Sequence, residues 1–439
     1  MTKIKYALPV LFGLMLFSVP LWADPPGRAG RVSFIEGTVS FFSGDSGEPQ
    51  AAALNYPLTT GDQLQTAAGA RAEAQVGSTA IRIAGDSRIT FDTLDDQTVQ
   101  LRLDRGSISV RLRRLDADQS FVIAAQTASV TLTVPGSFRI DQVDNGDLTV
   151  TASGGEADVA TGQAAITVKS GQALSVPAAD PASYTVAEAP APDSWDSWVA
   201  SRDQGDQEAV STRYVSSEIE GAEDLDAAGT WRVYDGYGPC WVPTVFAGWA
   251  PYHYGHWAWV GPWGWTWIDD APWGFAPFHY GRWAFVASAW VWVPGQIVRR
   301  PIYAPALVTW NGGVPLRGHP PDRDHITWAP LRPRQPYRPA YHAYGTVVRP
   351  DTRGRVTRIP PQERPGSVAT VPPRTRPAPV MRPGAGVPAP YPRPVVRTRS
   401  VPAAPQAPVT RVRPAPVRRA PPQDQADPDI LKWKTKGER

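Results

Sequence analysis

Twelve tryptophans fall between Gly229 and Pro294, and they are periodic. Trp231, Trp257 and Trp283 stand 26 residues apart, each with a glycine two positions earlier (Gly229, Gly255, Gly281). The stretch Gly-Trp-Ala-Pro-Tyr-His-Tyr-Gly-His-Trp at 248–257 recurs as Gly-Phe-Ala-Pro-Phe-His-Tyr-Gly-Arg-Trp at 274–283. A fixed period of this length marks a small supersecondary unit that buries its aromatic face only by stacking on its neighbours. The pattern constrains the fold and implies no reaction.

Each repeat reads as a β-hairpin. The fullest copy is a strand over 256–260, a Gly261-Pro262-Trp263-Gly264 turn and a return strand over 265–268. Period-two alternation puts Trp257 and Trp259 on one face, and Trp263, Trp265 and Trp267 on one face of the return strand. Facing aromatic pairs add about 0.5–1.5 kcal/mol each beyond their burial. Residues 282–286 with 290–293, and 230–234 with 241–242, repeat the plan less fully. Two uses of so many indoles compete. They form the core of a module poor in other bulky apolar residues, or some face solvent and stack on sugar rings. The full set cannot be exposed without a large sticky patch. Trp263 and Trp290, nearest the turns, are the candidate ligand-binding residues, because loops tend to carry function. Trp257, Trp259 and Trp283 are expected in the core.

Residues 31–176 carry a different signal: short alternating strands at roughly ten-residue spacing, with no helical period. The run 32–41 reads as a hairpin turning at Glu36-Gly37. Further strands are expected at 70–76, 80–83, 87–91, 99–103, 107–112, 120–124, 129–134, 137–142, 148–152, 155–159 and 164–169. Gly, Asp and Asn separate them, as in Asp104-Arg105-Gly106 and Ser153-Gly154-Gly155. The fold expected is an all-β sandwich or roll with enough residues for one substantial core, able to fold alone. Acids such as Asp95, Asp96, Asp141, Asp144 and Asp147 sit in these turns, where Asp caps backbone N–H groups.

The flanks change character. Lys3, Lys5, an apolar run over 7–21 and Ala23 read as a cleaved secretory leader over 1–23, the run being short and broken by Pro9 and Pro20 for a membrane span. Residues 177–228 read as an Ala/Pro-rich linker followed by a short helix from Asp193 or Ser194, with Trp195, Trp198 and Val199 on one docking face. From 346 to 439 the chain is Pro- and Arg-rich and is expected to be disordered. The net charge of +3 conceals an asymmetry. Residues 24–230 hold 14 Lys and Arg against 30 Asp and Glu, whereas 231–439 hold 28 against 11. A basic half on an exported chain suits anionic envelope polymers rather than nucleic acid. Cys240 is the single cysteine, so no disulfide forms within the chain.

Two resemblances follow from particular residues. Leu58-Thr59-Thr60-Gly61-Asp62-Gln63-Leu64-Gln65-Thr66, Asp104-Arg105-Gly106-Ser107-Ile108, Val134-Pro135-Gly136-Ser137-Phe138 and Val168-Lys169-Ser170-Gly171-Gln172 resemble, in order, the FecR family of periplasmic domains. In FecR proper this domain lies outside a membrane anchor and relays the state of an outer-membrane transporter to a sigma factor. The cytoplasmic segment and anchor of such a relay are not recognised here, so the resemblance implies the fold first. Asp224 to Trp231, the doubled Pro-Tyr/Phe-His-Tyr-Gly-x-Trp and Ile326-Thr327-Trp328-Ala329-Pro330 resemble a Trp-rich bacterial envelope family known as domain of unknown function 6600. That family often follows a FecR-like domain. Ala228 stands where the other repeats have Tyr254 and Tyr280, which makes the first repeat a candidate cap.

The expected organisation is therefore a leader (1–23), a FecR-like β domain (24–176), a linker with a short helix (177–228), a Trp-rich module of hairpins (229–345) and a tail (346–439). Catalysis has no motif: there is no Gly-x-Ser-x-Gly elbow, phosphate loop or zinc signature. His253, His256 and His279 with Asp269 and Asp270 are weak metal candidates, since Arg282 replaces His256 in the next repeat. No cofactor and no metal are expected. The expected function is a non-enzymatic exported envelope protein whose partner is an envelope glycan or protein, with the Arg-rich tail adding attraction to anionic polymers. The alternative is a FecR-type sensing component acting in transporter or sigma-factor regulation. The oligomeric state is left open.

Overall fold

The computed structural model describes residues 25–321 and 326–341; the leader and the tail lie outside the described residues. The architecture is all-β, as the alternation demands. One large sheet runs from Gly30–Glu36 to Thr185–Glu188, and the Trp-rich part forms one four-stranded and two two-stranded sheets. Val32, Leu64, Ile81, Phe91, Val110, Ile140 and Val150, all at most 1% exposed, belong to the core of the first sheet.

Two local expectations are corrected. Gly30–Glu36 and Val39–Phe42 do not pair as a hairpin. The first pairs with Arg71–Val76 and Pro57–Leu58, the second with Gln63–Thr66 and Pro49–Ala51. The chain does turn at Gly37, whose φ is +75°, but it leads into another part of the sheet. Three pairs of expected short strands are single long ones: Thr98–Leu112, Ala128–Gln142 and Leu148–Thr161. The glycines inside them bend the strands without ending them. A Cβ on Gly136 would stand 2.0 Å from the Gly154 carbonyl oxygen, so the backbones cross where neither residue has a side chain. Register shifts between Leu132 and Phe138 mark the same bend.

The segment 177–228 adds a strand and a helix to the first sheet, with 182–188 and 190–194 left exposed. Thr185–Glu188 adds a strand beside Gln172–Val176. A 15-residue helix, Ser194–Glu208, starts at Asp193, which accepts from Asp196 N in a capping box. Its buried Trp195 donates its indole N–H to Ser109 Oγ at 2.9 Å and stacks on Trp198, which in turn meets Phe34. The apolar face docks on the first sheet.

Four hairpins follow: Gly229–Tyr234 with Gly238–Pro243, Gly255–Val260 with Gly264–Asp269, Arg282–Val286 with Ala289–Val293, and Val308–Asn311 with Thr327–Pro330. Each sets one tryptophan directly opposite another: Trp231 and Trp241, Trp257 and Trp267, Trp283 and Trp292, Trp310 and Trp328. The first and third hairpins share a sheet through Trp241 opposite Trp292, so four indoles form one cross-strand row. The repeated glycine makes room for these rings. A Cβ on Gly229, Gly255 or Gly281 would come within 2.8 Å of the indole of Trp241, Trp267 or Trp292 respectively. The Gly-x-Trp spacing is thus a packing rule, with the facing indole lying over the bare Cα.

Candidate functional site

The seam between the first sheet and the Trp-rich hairpins carries one of the buried charge networks among the described residues. Arg31, 1% exposed, donates Nε–H to Gln75 Oε1 at 2.8 Å and Nη1–H to Asn55 Oδ1, and pairs with Asp224 at 2.7 Å and Glu223 at 3.3 Å. Its guanidinium lies 5.6 Å from the Phe275 ring centre. Asn55 hands the connection on, donating Nδ2–H to the Ala271 carbonyl at 2.8 Å. Glu220 joins three elements with one carboxylate, accepting from Gly77 N at 2.6 Å and from the Tyr280 hydroxyl at 2.5 Å. Burial raises its pKa.

A second network fixes the helix. Arg82, wholly buried, pairs with Glu73 at 2.7 Å, Asp203 at 2.8 Å and Asp206 at 3.3 Å, and Arg202 also reaches Glu73 at 2.8 Å. Burial opposes the Glu73 charge, but the hydrogen bond from Arg202 and the charges of Arg82 and Arg202 hold its pKa down to about 2. Asp206 moves the other way, to about 6, because burial and the nearby Glu223 and Glu73 outweigh Arg113 and Arg82.

The Trp-rich core brings its own buried polar groups. Asp269 accepts from Trp267 Nε1–H at 3.1 Å and from Ala271 N at 3.1 Å, and burial lifts its pKa to about 8. His279 meets the Ala304 carbonyl through Nδ1 at 2.8 Å, stacks on Tyr303 and is held neutral by burial, its pKa lowered to about 4. Its Nε2 has no hydrogen-bond partner among the described residues. His253, at the matching repeat position, is exposed, and His256 lies 3.8 Å from Asp270 at the surface. The repeat thus separates these histidines instead of converging them. Among the described residues no group of three or more His, Cys, Asp or Glu is arranged to hold a metal.

The two candidate ligand residues fare differently. Trp263 is 1% exposed, contrary to its expected solvent-facing place beside the turn. Its indole N–H donates to the Pro26 carbonyl at 3.1 Å and its ring meets Tyr303 at 4.8 Å. The N-terminal segment folds back over the turn and covers it, a contact spanning 237 residues that no local pattern reveals. Trp290 is half-buried, edge-on to Phe285 at 5.4 Å, and Phe285 is 62% exposed. Of the rings expected in the core, Trp283 is fully buried, whereas Trp257 and Trp259 are half-buried.

The Gly61-Asp62 turn also resolves into structure. Asp62 Oδ1 accepts from Gly44 N at 3.0 Å and Oδ2 from Thr59 N at 2.8 Å, while burial raises its pKa to about 7. Thr66 donates to the Ala84 carbonyl and accepts from Ser87 N. These residues lock a corner of the sheet. A cleft of about 310 Å³ lies between this corner and the Gly261-Pro262 turn, lined by Tyr56, Thr60, Asp62 and Pro26 among others. Both carboxylate oxygens of Asp62 already hold backbone N–H groups.

This is the geometry of a β domain carrying a docked aromatic hairpin repeat. Comparison with family models agrees with both halves: the FecR protein model matches residues 62–157, and a family of unknown function, DUF6600, matches residues 222–335. The chain therefore carries a FecR domain followed by a DUF6600 domain. No curated protein matches it. Among solved structures it is similar to two crystal structures of a candidate anti-sigma factor from Parabacteroides distasonis ATCC 8503. Their identities are 12% and 11%, and the TM-scores 0.26 and 0.27. The matches cover 29% and 31% of this chain and 60% and 64% of those chains, less than two thirds of their length.

Proposed function

We propose that this chain is a non-enzymatic, exported component of FecR-type sensing, in which the DUF6600 hairpins and the FecR domain act as one docked body. The observation that carries the reading is the seam. The Arg31 and Glu220 networks tie the FecR sheet to the hairpins, while the FecR match supplies the functional class. Trp263 turning inward removes support from a row of exposed indoles, so sensing ranks above a polysaccharide platform. In-cell crosslinking from the exposed hairpin tips tests this. Recovery of a transporter or a sigma-factor regulator is the expected result, and recovery of envelope polymer alone overturns it.

A second reading keeps one specific support. Trp290 with the exposed Phe285 forms an aromatic pair at a hairpin tip that suits a sugar ring or an apolar side chain. Pull-down on insoluble envelope glycans checks it. Retention lost in Trp290→Ala with the melting temperature kept favours glycan binding, and no retention of the parent protein removes it.

A further inference from the structure

The helix Ser194–Glu208 lies across a row of polar side chains on the FecR sheet. Arg139, Ser109, Arg82, Glu73 and Phe34 stand in register on neighbouring strands. The helix answers each of them in order. Asp193 and Asp196 meet Arg139 at 2.7 and 3.1 Å, and Trp195 donates its indole N–H to Ser109. Asp203 and Asp206 pair with Arg82, while Arg202 pairs with Glu73 and lies 5.0 Å over the Phe34 ring. From Arg139 to Glu73 is three strand spacings, about 14 Å. From Asp193 to Arg202 the helix rises about 13.5 Å. The row and the helix therefore match in length and in the order of their charges.

The helix covers that row without an apolar seal. Trp195, in the first turn, is its one buried side chain, and the later turns are held by ion pairs. In a buried pair the cost of taking both charges out of water offsets most of their attraction, and lifting the helix returns them to water. The helix is also weak in itself. Gly205 lowers its stability, and Asp203, Asp206 and Glu208 crowd the negative end of its dipole with no basic residue in the last turn. The chain entering it, 190–192, is exposed and belongs to no strand.

We infer that this row is an interaction surface for an acidic helical segment of a partner protein, and that the helix Ser194–Glu208 occupies it as a displaceable cover. The resident helix defines the chemistry of the occupant: carboxylates for Arg139 and Arg82, a ring beside Ser109 and Phe34, and a base for Glu73. This goes beyond the sensing reading, and its test uses neither a transporter nor a sigma-factor regulator.

The probe is a labelled peptide with the sequence of residues 193–208, which carries the required order of groups. Fluorescence anisotropy against the full chain without residues 1–23 reads its binding. In the parent the resident helix competes, so the apparent affinity falls by the fraction of molecules whose row is open. Asp203→Asn with Asp206→Asn weakens the cover, keeps its shape and leaves the row intact. That variant is expected to bind the peptide about tenfold more tightly than the parent. Adding Arg139→Gln, at the end of the row, should reverse the gain. A scrambled peptide of the same composition separates the row from the Arg-rich tail, which attracts any acidic peptide. Should the double variant fail to melt cooperatively, Asp203→Asn alone carries the same comparison. Equal binding by parent and variant, or equal binding of the two peptides, overturns the inference. So does absence of binding to a variant that still melts cooperatively.

Discussion

Single side chains in this molecule divide by what covers them, and tryptophan makes the division visible. Trp263 gives its N–H to Pro26 and its ring to Tyr303, so it fastens the N-terminal segment to the second hairpin. Truncation there removes a filled core position. Trp263→Ala is expected to destabilise by about 3–5 kcal/mol. Trp290→Ala, at a half-buried edge, should cost well under half as much. Urea unfolding followed by circular dichroism measures both, and equal losses would undo the assignment of Trp263 as buried clamp and Trp290 as rim. The repeat itself was legible because Gly-x-Trp follows from a local requirement, an indole lying over a bare Cα two residues from its own pair. The fate of Trp263 was not, since its partner is remote in sequence and its immediate neighbours, Gly261, Pro262 and Gly264, read only as a turn.

At the scale of elements, strand character was readable and strand continuity was not. Alternation located Arg71–Val76, Thr79–Ile83 and Ser120–Ala124 closely. Gly106, Gly136 and Gly154 looked like breaks yet lie inside continuous strands, because glycine serves a turn and a backbone crossing equally well. The fourth hairpin went unread as a strand pair, since Val308 replaces the glycine that marks the other three. The helix Ser194–Glu208 was legible from its cap and its Trp195, Trp198 face, whereas its acids Asp203 and Asp206 gave no sign of closing over Arg82. That closure changes what the β domain needs. A fragment ending at residue 176 keeps Arg82 and Glu73 but loses Asp203, Asp206, Arg202 and Trp195 from over the sheet. Arg82 then keeps one of its three carboxylate partners, and the sheet loses the packing and indole hydrogen bond of Trp195. A 24–228 fragment is therefore expected to melt cooperatively at a temperature well above that of 24–176. Indistinguishable melts in differential scanning calorimetry would mean that the helix is merely laid on the surface.

Across the whole molecule the buried carboxylates give the assembly a pH dependence whose sign can be worked out. Burial raises Asp206 to about 6, Asp62 to about 7 and Asp269 to about 8, against about 4 for an aspartate in an unfolded chain. A raised carboxylate pKa means that the folded state binds a proton the unfolded state has already released. The stability linked to these groups is fully present below about pH 4 and is lost as pH rises through 6 to 8. Glu73, lowered to about 2, acts in the opposite sense: its contribution is present above its unfolded pKa and is lost only as pH falls towards 2. His279 stays neutral above about pH 4, so protonation penalises the fold only below the unfolded histidine range, increasingly towards 4. Over pH 6.5–8.5 the aspartates therefore dominate, and the melting temperature should fall as pH rises. Asp269 and Asp62 stand on the two sides of the junction: Asp269 neighbours the carbonyls that Asn55 holds, and Asp62 lines the cleft beside Gly261 and Pro262. The junction beside these two carboxylates is therefore expected to loosen with rising pH before either core does. Differential scanning fluorimetry across that range, paired with limited proteolysis at the junction, checks both parts of the prediction. A melting temperature that climbs from pH 6.5 to 8.5, or a junction equally resistant at both ends, would show that these carboxylates do not govern the seam.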